Sequence, residues 1–170
     1  MCRVATRELA IAKIVCPCSP MANTFTCLYY HLIFSTKNRE PWIRHDIESR
    51  VWSYMAGIAC ENRMTPIQIG GMPDHVHAVV ALPTTLSLSD AIKQIKGGSS
   101  KWIKNAATGL GGFAWQDGYA GFTVSKSNLP EVVTYVQNQR EHHRVKTFQE
   151  EYVAFMERHG IEYDPKYLWD

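Results

Sequence analysis

The sequence predicts an α+β sandwich in which helices flank a mainly antiparallel sheet. Segments typical of strands and of helices alternate in a mixed order along the chain, which favours this class over an all-helical or all-strand fold. The 170 residues suit one domain, and a composition of 45% hydrophobic and 20% charged residues is typical of a folded protein. No uninterrupted apolar stretch approaches the ~20 residues that span a bilayer, so the sequence excludes a membrane protein.

The first half of the domain predicts the order strand, helix, strand, strand. Residues Phe25–Ser35 are dense in aromatic and aliphatic side chains, as in a buried strand. Apolar residues recur every three or four positions over Ile43–Asn62, which indicates a long helix. Two further strands are predicted over Thr65–Met72 and His75–Leu82, joined by a short turn.

The second half predicts a helix followed by a hairpin. The helix begins near Ser87 and runs toward Ala107, and the pair Gly97-Gly98 predicts a kink or two shorter helices. Residues 113–116 and 119–125 are typical of two short strands, and Asp117-Gly118 between them is a hairpin signal.

The last part predicts two more helices, one from Asn128 to about His143 and one over Phe148–His159. The whole order is that of a ferredoxin-like or RRM-like sandwich. We expect a single domain over residues 23–170. Residues 1–22 are expected to be a disordered tail or an over-extended reading frame, because Met21 is a plausible start.

Charge and cysteine content restrict the class of protein. The formal charge of +2 comes entirely from residues 1–20, so the predicted domain is neutral and any nucleic-acid contact must be local. The five cysteines have no paired spacing, which argues against a disulfide framework or a zinc ribbon. Reduced thiols are expected, and with them a cytoplasmic protein.

Two histidines occupy alternate positions of the predicted strand. His75 and His77 point to one face, while Val76 and Val80 belong to the opposite, core face. The histidines are therefore expected to face outward, where two imidazoles at this spacing can converge on one metal ion. Two exposed or hydrogen-bonded histidines are the alternative. The adjacent Asp74 would either orient a ligand imidazole or form the turn.

The helix after Pro130 carries a polar stripe. Tyr135, Gln139 and His142 are spaced so that they lie along one helix face. The ordinary interpretation is packing of the tyrosine ring with its hydroxyl in water.

A basic stripe lies on the predicted helix at 87–107. It is either a solvated face or a set of contacts to a phosphate backbone that fix position without recognising bases. Its members are Lys93, Lys96, Lys101 and Lys104.

The His75-Val76-His77 strand, followed by a helical Tyr135 with Gln139 four residues on, resembles the HUH single-strand endonucleases. More closely, the sequence is similar to the single-tyrosine transposases of the insertion-sequence 200/605 family, including the REP-associated tyrosine transposases. The resemblance covers about residues 24–170. Its other segments are CLYYHLIFSTKNREP, MPDHVH, KGGSSKW, FAWQDGYAGFTVS, YVQNQREHHR and FQEEYVAFMERHGIEYDPKYLW.

The resemblance implies a DNA transposase that cuts and rejoins single-stranded DNA. Tyr135 would attack the scissile phosphate and leave a 5′-phosphotyrosine and a free 3′-hydroxyl. His75, His77 and a third side chain would hold Mg²⁺ or Mn²⁺. We assign the third position to Gln139, because Asp74 directly abuts His75 on the opposite strand face. His142 and His143 are left out of the catalytic set, since a solvent-facing helix end explains them equally well.

The resemblance also implies partners. The substrate would be single-stranded DNA with hairpins, contacted by the basic stripe and by Arg39 and Arg44. The protein would be a cytoplasmic, nucleoid-associated homodimer in which the tyrosine helix can complete the partner's active site. Two alternatives stay open: a domesticated single-stranded nucleic-acid-binding protein or nuclease that mobilises no element, and a metal-dependent hydrolase of small substrates with a structural Tyr135.

Overall fold

The structure of the chain, a computed structural model, describes residues 25–106 and 108–165. The extension predicted over residues 1–22 lies outside this part. The strands are β1 (Tyr29–Ser35), β2 (Thr65–Met72), β3 (His75–Ala81) and β4 (Ala120–Val124). The helices are α1 (His45–Glu61), α2 (Leu88–Ala106), α3 (Leu129–Gln137), α4 (Gln139–His142) and α5 (Phe148–Arg158).

The four strands form one antiparallel sheet in the order β2-β3-β1-β4. Each of α1 and α2 connects two strands that are not neighbours, which gives the interleaved β-α-β units of a ferredoxin-like sandwich. The predicted α+β class with a mainly antiparallel sheet is confirmed. β1 and β3 are central strands, and their pairing places Ile33 opposite His77 and Ser35 opposite His75.

One face of the sheet has an apolar, buried centre and is covered by α1 and α2. Burial of this face provides most of the hydrophobic core, because the apolar stripes of both helices meet the alternate residues of the central strands. The strand residues that point to this face are Leu32, Phe34, Val76, Ala78 and Val80.

The other face is covered by α3 and α5 and has a mixed composition. Val79 packs under α3 near Val136, and Ile33 packs under α5 near Phe148. Between these two apolar clusters lie buried histidines of β1 and β3: His31, His75 and His77. The fold therefore places imidazoles at the centre of a sheet face instead of on its rim.

Two glycines allow neighbouring elements to pack closely, one between α1 and α2 and one beside the start of β3. The kink predicted at Gly97-Gly98 is wrong, because α2 is helical from Leu88 to Ala106. A Cβ on Gly98 would lie 2.8 Å from Cδ1 of Ile58. The glycine thus lets α2 pack closely on α1, and this packing outweighs a helix-propensity cost of about 1 kcal/mol. At Gly71, a Cβ would lie 2.2 Å from the carbonyl oxygen of His75, so only glycine fits beside the start of β3.

The hairpin predicted around Asp117-Gly118 is also wrong. Trp115 forms only an isolated bridge with Thr36, and β4 pairs with β1 instead of with a neighbouring short strand. The ammonium group of Lys96 donates to the carbonyl oxygens of Asp117 and Gly118, at 3.2 and 2.9 Å. A side chain of α2 therefore holds this segment as a loop.

The single helix predicted from Asn128 to His143 is divided into α3 and α4. Asn138 has φ −98° and ψ 21°, so its backbone leaves the helical conformation. Gln139 and His142 nevertheless stay beside Tyr135, with the His142 ring centroid 5.0 Å from that of Tyr135. Other element ends differ little from the prediction; the largest difference is in β1, which begins at Tyr29, while Phe25 is 89% exposed.

Within residues 25–106 and 108–165, no helix combines the length and the apolar character needed to cross a membrane.

Candidate metal and nucleophile site

The two strand histidines point to the predicted face but are not exposed. His75 and His77 are 1% and 0% exposed, because α5 and the segment before it cover the sheet at this point. Phe148 of α5 stacks on the His75 ring, with the ring centroids 4.2 Å apart. The expectation of an outward-facing pair is therefore wrong as to exposure, since the helix after residue 147 packs on this face.

Two further donors from the C-terminal part of the chain converge on the histidine pair. His143 follows α4, and Glu151 lies on the buried side of α5. The ligand atoms of His75, His77, His143 and Glu151 all lie within 4.8 Å of one another. The Nε2 atom of His143 is 3.0 Å from Nε2 of His75 and 3.1 Å from Oε2 of Glu151, and the latter oxygen is 3.8 Å from Nε2 of His77.

The opposite nitrogen of each imidazole has its own partner. Nδ1 of His75 contacts the carboxylate of Asp74 at 2.8 Å. Nδ1 of His77 contacts Nε2 of His31 at 2.9 Å, and Nδ1 of His143 contacts the carbonyl oxygen of Lys146 at 2.9 Å. Such outer contacts fix the ring orientation of metal-ligating histidines, and all three leave Nε2 directed into the cluster.

Burial controls the protonation of this cluster. Burial lowers the pKa of His77 well below its usual value, and it lowers the pKa of His143 as well, so both imidazoles are neutral near pH 7. Burial also raises the pKa of Glu151 to about 8. For Asp74, burial alone would raise the pKa, but the hydrogen bond to His75 and the charge of that residue keep it below its usual value.

Several polar atoms of the cluster have no partner. Nε2 of His77 and both carboxylate oxygens of Glu151 are buried and accept or donate no hydrogen bond within the described part of the chain. Leaving a buried polar atom unpaired costs about 1–3 kcal/mol. Convergence of neutral imidazole nitrogens and a carboxylate on one point is the donor chemistry of a divalent metal site, so these residues fit a metal ion.

Tyr135 lies beside this cluster. Its ring centroid is 5.7 Å from that of His77, 6.1 Å from that of His31 and 5.0 Å from that of His142. The phenolic oxygen is buried and has no hydrogen-bond partner among the described residues. Two depressions, of about 510 and 150 Å³, are lined by Tyr135, and the smaller one also touches Glu151.

Gln139 is buried at the start of α4. Its side-chain amide donates to the carbonyl oxygen of Tyr135 at 3.4 Å, while Oε1 is buried and unpaired within the described residues. The amide oxygen is thus free to act as a metal ligand. The hydrogen bond from the amide nitrogen links the position of α4 to that of Tyr135.

The predicted DNA-contacting residues lie elsewhere. Lys93, Lys101 and Lys104 are exposed on α2, which covers the opposite face of the sheet from the histidine cluster. Lys96 is engaged with the loop at 116–118, as described above. Arg44 is exposed and pairs with Asp46 at 3.3 Å.

Arg39 has a positive φ of 55° in the short 3₁₀ turn after β1. Its charge helps to lower the pKa of Asp74, the residue that contacts His75. Arg39 therefore lies on the side of the histidine cluster, whereas the exposed lysines of α2 lie on the opposite face of the sheet.

Three residues beside the two strand histidines are absent from the predicted site: Glu151, His31 and His143. The first two have a signal in the sequence. Glu151 falls on the apolar stripe of α5, between Phe148 and Tyr152, where a carboxylate is unexpected. His31 falls on a strand position that alternation places in the interior. His143 lies four residues after Gln139. A polar residue at a core position was the available indication in the first two cases.

Comparison with known proteins identifies the family. The sequence profile of the family described as "Transposase IS200 like" matches residues 24–139. The chain is 28% identical over 119 residues to the ISDra2 transposase TnpA of Deinococcus radiodurans, a match that covers 67% of this chain and 85% of the relative.

Solved structures show the same architecture. A crystal structure of a Deinococcus radiodurans R1 protein described as a transposase has a TM-score of 0.55 and 25% identity, covering 69% of this chain and 95% of that one. A REP-associated tyrosine transposase bound to a REP hairpin has a TM-score of 0.52 at 16% identity, covering 72% and 74%, and at this identity it supports the fold alone. Since the family profile spans well over half of the sequence, including the HVH strand and Tyr135, the chain belongs to the IS200-like transposases.

Proposed function

We propose that the protein cuts and rejoins single-stranded DNA at hairpin-bearing ends. In this proposal Tyr135 is the nucleophile, and His75, His77 and Gln139 hold Mg²⁺ or Mn²⁺. The observation that carries it is the position of the Tyr135 ring, 5.7 Å from the His77 ring within one chain and beside a buried set of metal-ligating donors.

The reaction balances without an external energy source. The Tyr135 oxygen forms a bond to phosphorus, and the bond from phosphorus to the 3′-oxygen breaks. The phenol loses its proton, and the departing 3′-oxygen takes up a proton to become a 3′-hydroxyl. One phosphodiester replaces another, so a second 3′-hydroxyl can reverse the step. The unpaired, buried phenolic oxygen supports this role, because no hydrogen bond within the described residues has to be broken before it attacks.

The donor atoms support a metal at the same place. Nε2 of His77 and Oε1 of Gln139 are both buried without partners, so a bound cation would satisfy atoms that otherwise destabilise the fold. A divalent cation there would stabilise the charge on the phosphoryl oxygens as a Lewis acid. The contribution of the chain is to keep the His77 imidazole neutral through burial and to fix the His75 ring through its contact with Asp74.

Access to the site is consistent with a polynucleotide substrate. The larger depression, of about 510 Å³, is lined by Tyr135, Asn138 and Lys146 among others. Lys146 provides a positive charge where a phosphate would enter. In this proposal the ligand is a structured DNA end, like the REP hairpin bound to the REP-associated tyrosine transposase, and the protein is cytoplasmic and nucleoid-associated.

A homodimer is part of the proposal, and the intrachain position of Tyr135 supports a site built from one subunit. Mixing a His75→Ala variant with a Tyr135→Phe variant tests this arrangement. No recovery of cleavage is expected if each site uses its own tyrosine, whereas recovery to a sizeable fraction of the wild-type rate would show exchange of the tyrosine helix between subunits.

The main experiment is incubation of the protein with labelled, hairpin-bearing single-stranded DNA and Mn²⁺ or Mg²⁺, followed by a denaturing gel. We expect a covalent protein–DNA band that Tyr135→Phe abolishes, with cleavage reduced by about 10⁴-fold or more, as for loss of a nucleophile. Tyr54→Phe, at an exposed position on α1, is the matched control and should keep the band.

Cleavage without a covalent band, or a band that persists in Tyr135→Phe, would contradict the proposed nucleophile. Retained turnover of a small phosphodiester by Tyr135→Phe would favour the hydrolase alternative instead. Binding of hairpin DNA without cleavage in the wild type would favour a domesticated nucleic-acid-binding protein.

A further inference from the structure

We propose that His143 and Glu151 bind the same metal ion as His75 and His77, so that the site gains a third imidazole and a carboxylate beside the amide oxygen of Gln139 and prefers a first-row transition ion to Mg²⁺. This inference deepens the metal site of the proposed function and depends on it. Both added residues lie beyond the region that the family profile matches, which ends at residue 139.

The geometry of His75 and His143 suits a cation between the two rings. Nδ1 of His143 faces a carbonyl oxygen and Nδ1 of His75 faces a carboxylate, so both Nδ1 atoms carry the proton. The Nε2 atoms of the two rings are directed at each other across 3.0 Å. A metal ion between them would accept a lone pair from each Nε2 atom.

The carboxylate provides the matching negative charge. Glu151 is 2% exposed, and within the described residues no hydrogen bond, lysine or arginine stabilises a negative charge there, so a bound cation would supply the missing partner. Its Oε2 lies 3.1 Å from Nε2 of His143 and 3.8 Å from Nε2 of His77, on the same side as the facing Nε2 atoms. A buried carboxylate aimed at three imidazole nitrogens is stabilised by a divalent ion at their centre.

The donor types determine which ion is preferred. Imidazole nitrogen suits Zn²⁺, Ni²⁺ and Cu²⁺, whereas Mg²⁺ prefers an octahedral shell of oxygen atoms. Three nitrogens and one carboxylate oxygen therefore favour Zn²⁺ over Mn²⁺, and Mn²⁺ over Mg²⁺. The three occupied Nδ1 atoms add to the affinity, because they hold the rings in the ligating orientation.

Isothermal titration of the metal-stripped full chain with ZnCl₂, MnCl₂ and MgCl₂ tests the inference. Wild-type affinity should follow the order Zn²⁺, Mn²⁺, Mg²⁺. Glu151→Gln and His143→Gln should each weaken Zn²⁺ binding by about tenfold or more, since even orienting partners of a ligand contribute 10- to 100-fold. The matched controls Glu157→Gln, exposed on the same helix, and His45→Gln, exposed on α1, should stay within about twofold of wild type.

The outcomes separate this inference from the proposed function. Wild-type Zn²⁺ affinity in Glu151→Gln and His143→Gln, together with lost binding in His75→Ala, would overturn the inference and leave the His75–His77 metal site standing. Unchanged binding in His75→Ala would contradict the metal site of the proposed function itself. Because these readouts measure binding and not cleavage, neither depends on the Tyr135 chemistry.

A second measurement needs no variant. The visible spectrum of the Co²⁺-loaded wild-type protein should show the intense bands of a four- or five-coordinate ion with nitrogen ligands. Weak bands typical of an octahedral oxygen shell would contradict the four-residue donor set. Folding of the variants is checked by circular dichroism in EDTA, where Glu151→Gln should melt no lower than wild type because it removes an unpaired buried carboxylate.

Discussion

The two faces of the sheet are both buried, yet they are built from different side chains. The buried strand residues of the face under α1 and α2 that form the main core are apolar, such as Phe34 and Val80. The face under α3 and α5 contains His31, His75 and His77 between smaller apolar clusters. The difference shows that one sheet can combine a face that supplies stability with a face that gives up stability to hold unpaired donor atoms.

The polar face differs from the apolar one in a second respect. Its cover comes from the C-terminal part of the chain, and it places Glu151 and His143 on the strand histidines. The apolar face is covered by the two helices that connect the strands of the sheet. Changes to the apolar face should therefore alter stability alone, while changes to the polar face should alter metal binding and chemistry.

The largest effect on stability is expected from Phe34→Ala on the apolar face. Phe34 is fully buried and its ring contacts Trp115 edge-on, with centroids 4.9 Å apart. Its truncation should lower the free energy of unfolding by about 3–5 kcal/mol. Urea denaturation measures this loss. The loss should be the same in the wild-type background and in a variant whose metal-binding residues have been replaced. A loss below about 1 kcal/mol would show that this face is not the main core.

A smaller loss is expected from Gly71→Ala, which acts on the polar face through β2. The added Cβ would lie 2.2 Å from the carbonyl oxygen of His75, and a backbone atom cannot move aside without distorting β3. The free energy of unfolding should fall by about 1–3 kcal/mol. Metal affinity should fall as well, because His75 moves. Gly97→Ala, where a Cβ has no neighbour within 4 Å, is the matched control.

The pH dependence of the metal-free protein should distinguish the faces further. Burial raises the pKa of Glu151 to about 8 from 4.5, so the unfolded chain loses this proton before the folded one, and stability falls as pH rises between these values. Burial also lowers the pKa of His31 to about 4, and it lowers the pKa values of His77 and His143. Through these histidines the free energy of unfolding increases as pH rises, but only below pH 6.5.

Between pH 6.5 and 8 the carboxyl group of Glu151 acts alone among these groups. The free energy of unfolding in EDTA should therefore decrease by about 1–2 kcal/mol over this interval. Urea denaturation at a series of pH values measures the slope, and Glu151→Gln should remove it. Parallel profiles for the wild type and Glu151→Gln would show that Glu151 does not hold its proton in the folded state.

The smallest effect is expected from the double substitution Lys101→Gln and Lys104→Gln on α2. These exposed lysines lie on the side of the sheet opposite the histidine cluster. Covalent-adduct formation with a short single strand should not change. For a hairpin substrate, the slope of log affinity against log salt concentration should become smaller by about one unit for each phosphate contact removed. Titration at several salt concentrations measures this slope. Lost adduct formation would place these lysines at the site.

Local patterns were sufficient for the strands and for the orientation of the histidine pair. Alternation along residues 75–81 put His75 and His77 on one face, and the structure agrees on the face while adding the cover by α5. The turn and glycine signals failed where tertiary packing decided the outcome. Gly98 allows close helix packing instead of a kink, and Lys96 of α2 holds the loop at 116–118.

The extended donor set could not be predicted from the sequence. His143 and Glu151 are separated from His75 by about seventy residues, and only the packing of α5 on the sheet brings them together. The break at Asn138 also has no Pro or Gly to announce it. A buried carboxylate on an apolar helix stripe is the one local sign of this arrangement.

The most direct test of the account is to locate the covalent bond to DNA. Trypsin cleavage after Lys126 and Arg140 releases residues 127–140, a peptide in which Tyr135 is the single tyrosine. After reaction with single-stranded DNA and nuclease trimming, tandem mass spectrometry should find a nucleotide phosphate on Tyr135 of this peptide. A nucleotide attached to a different peptide, or an unmodified 127–140 peptide alongside fully cleaved DNA, would contradict the account.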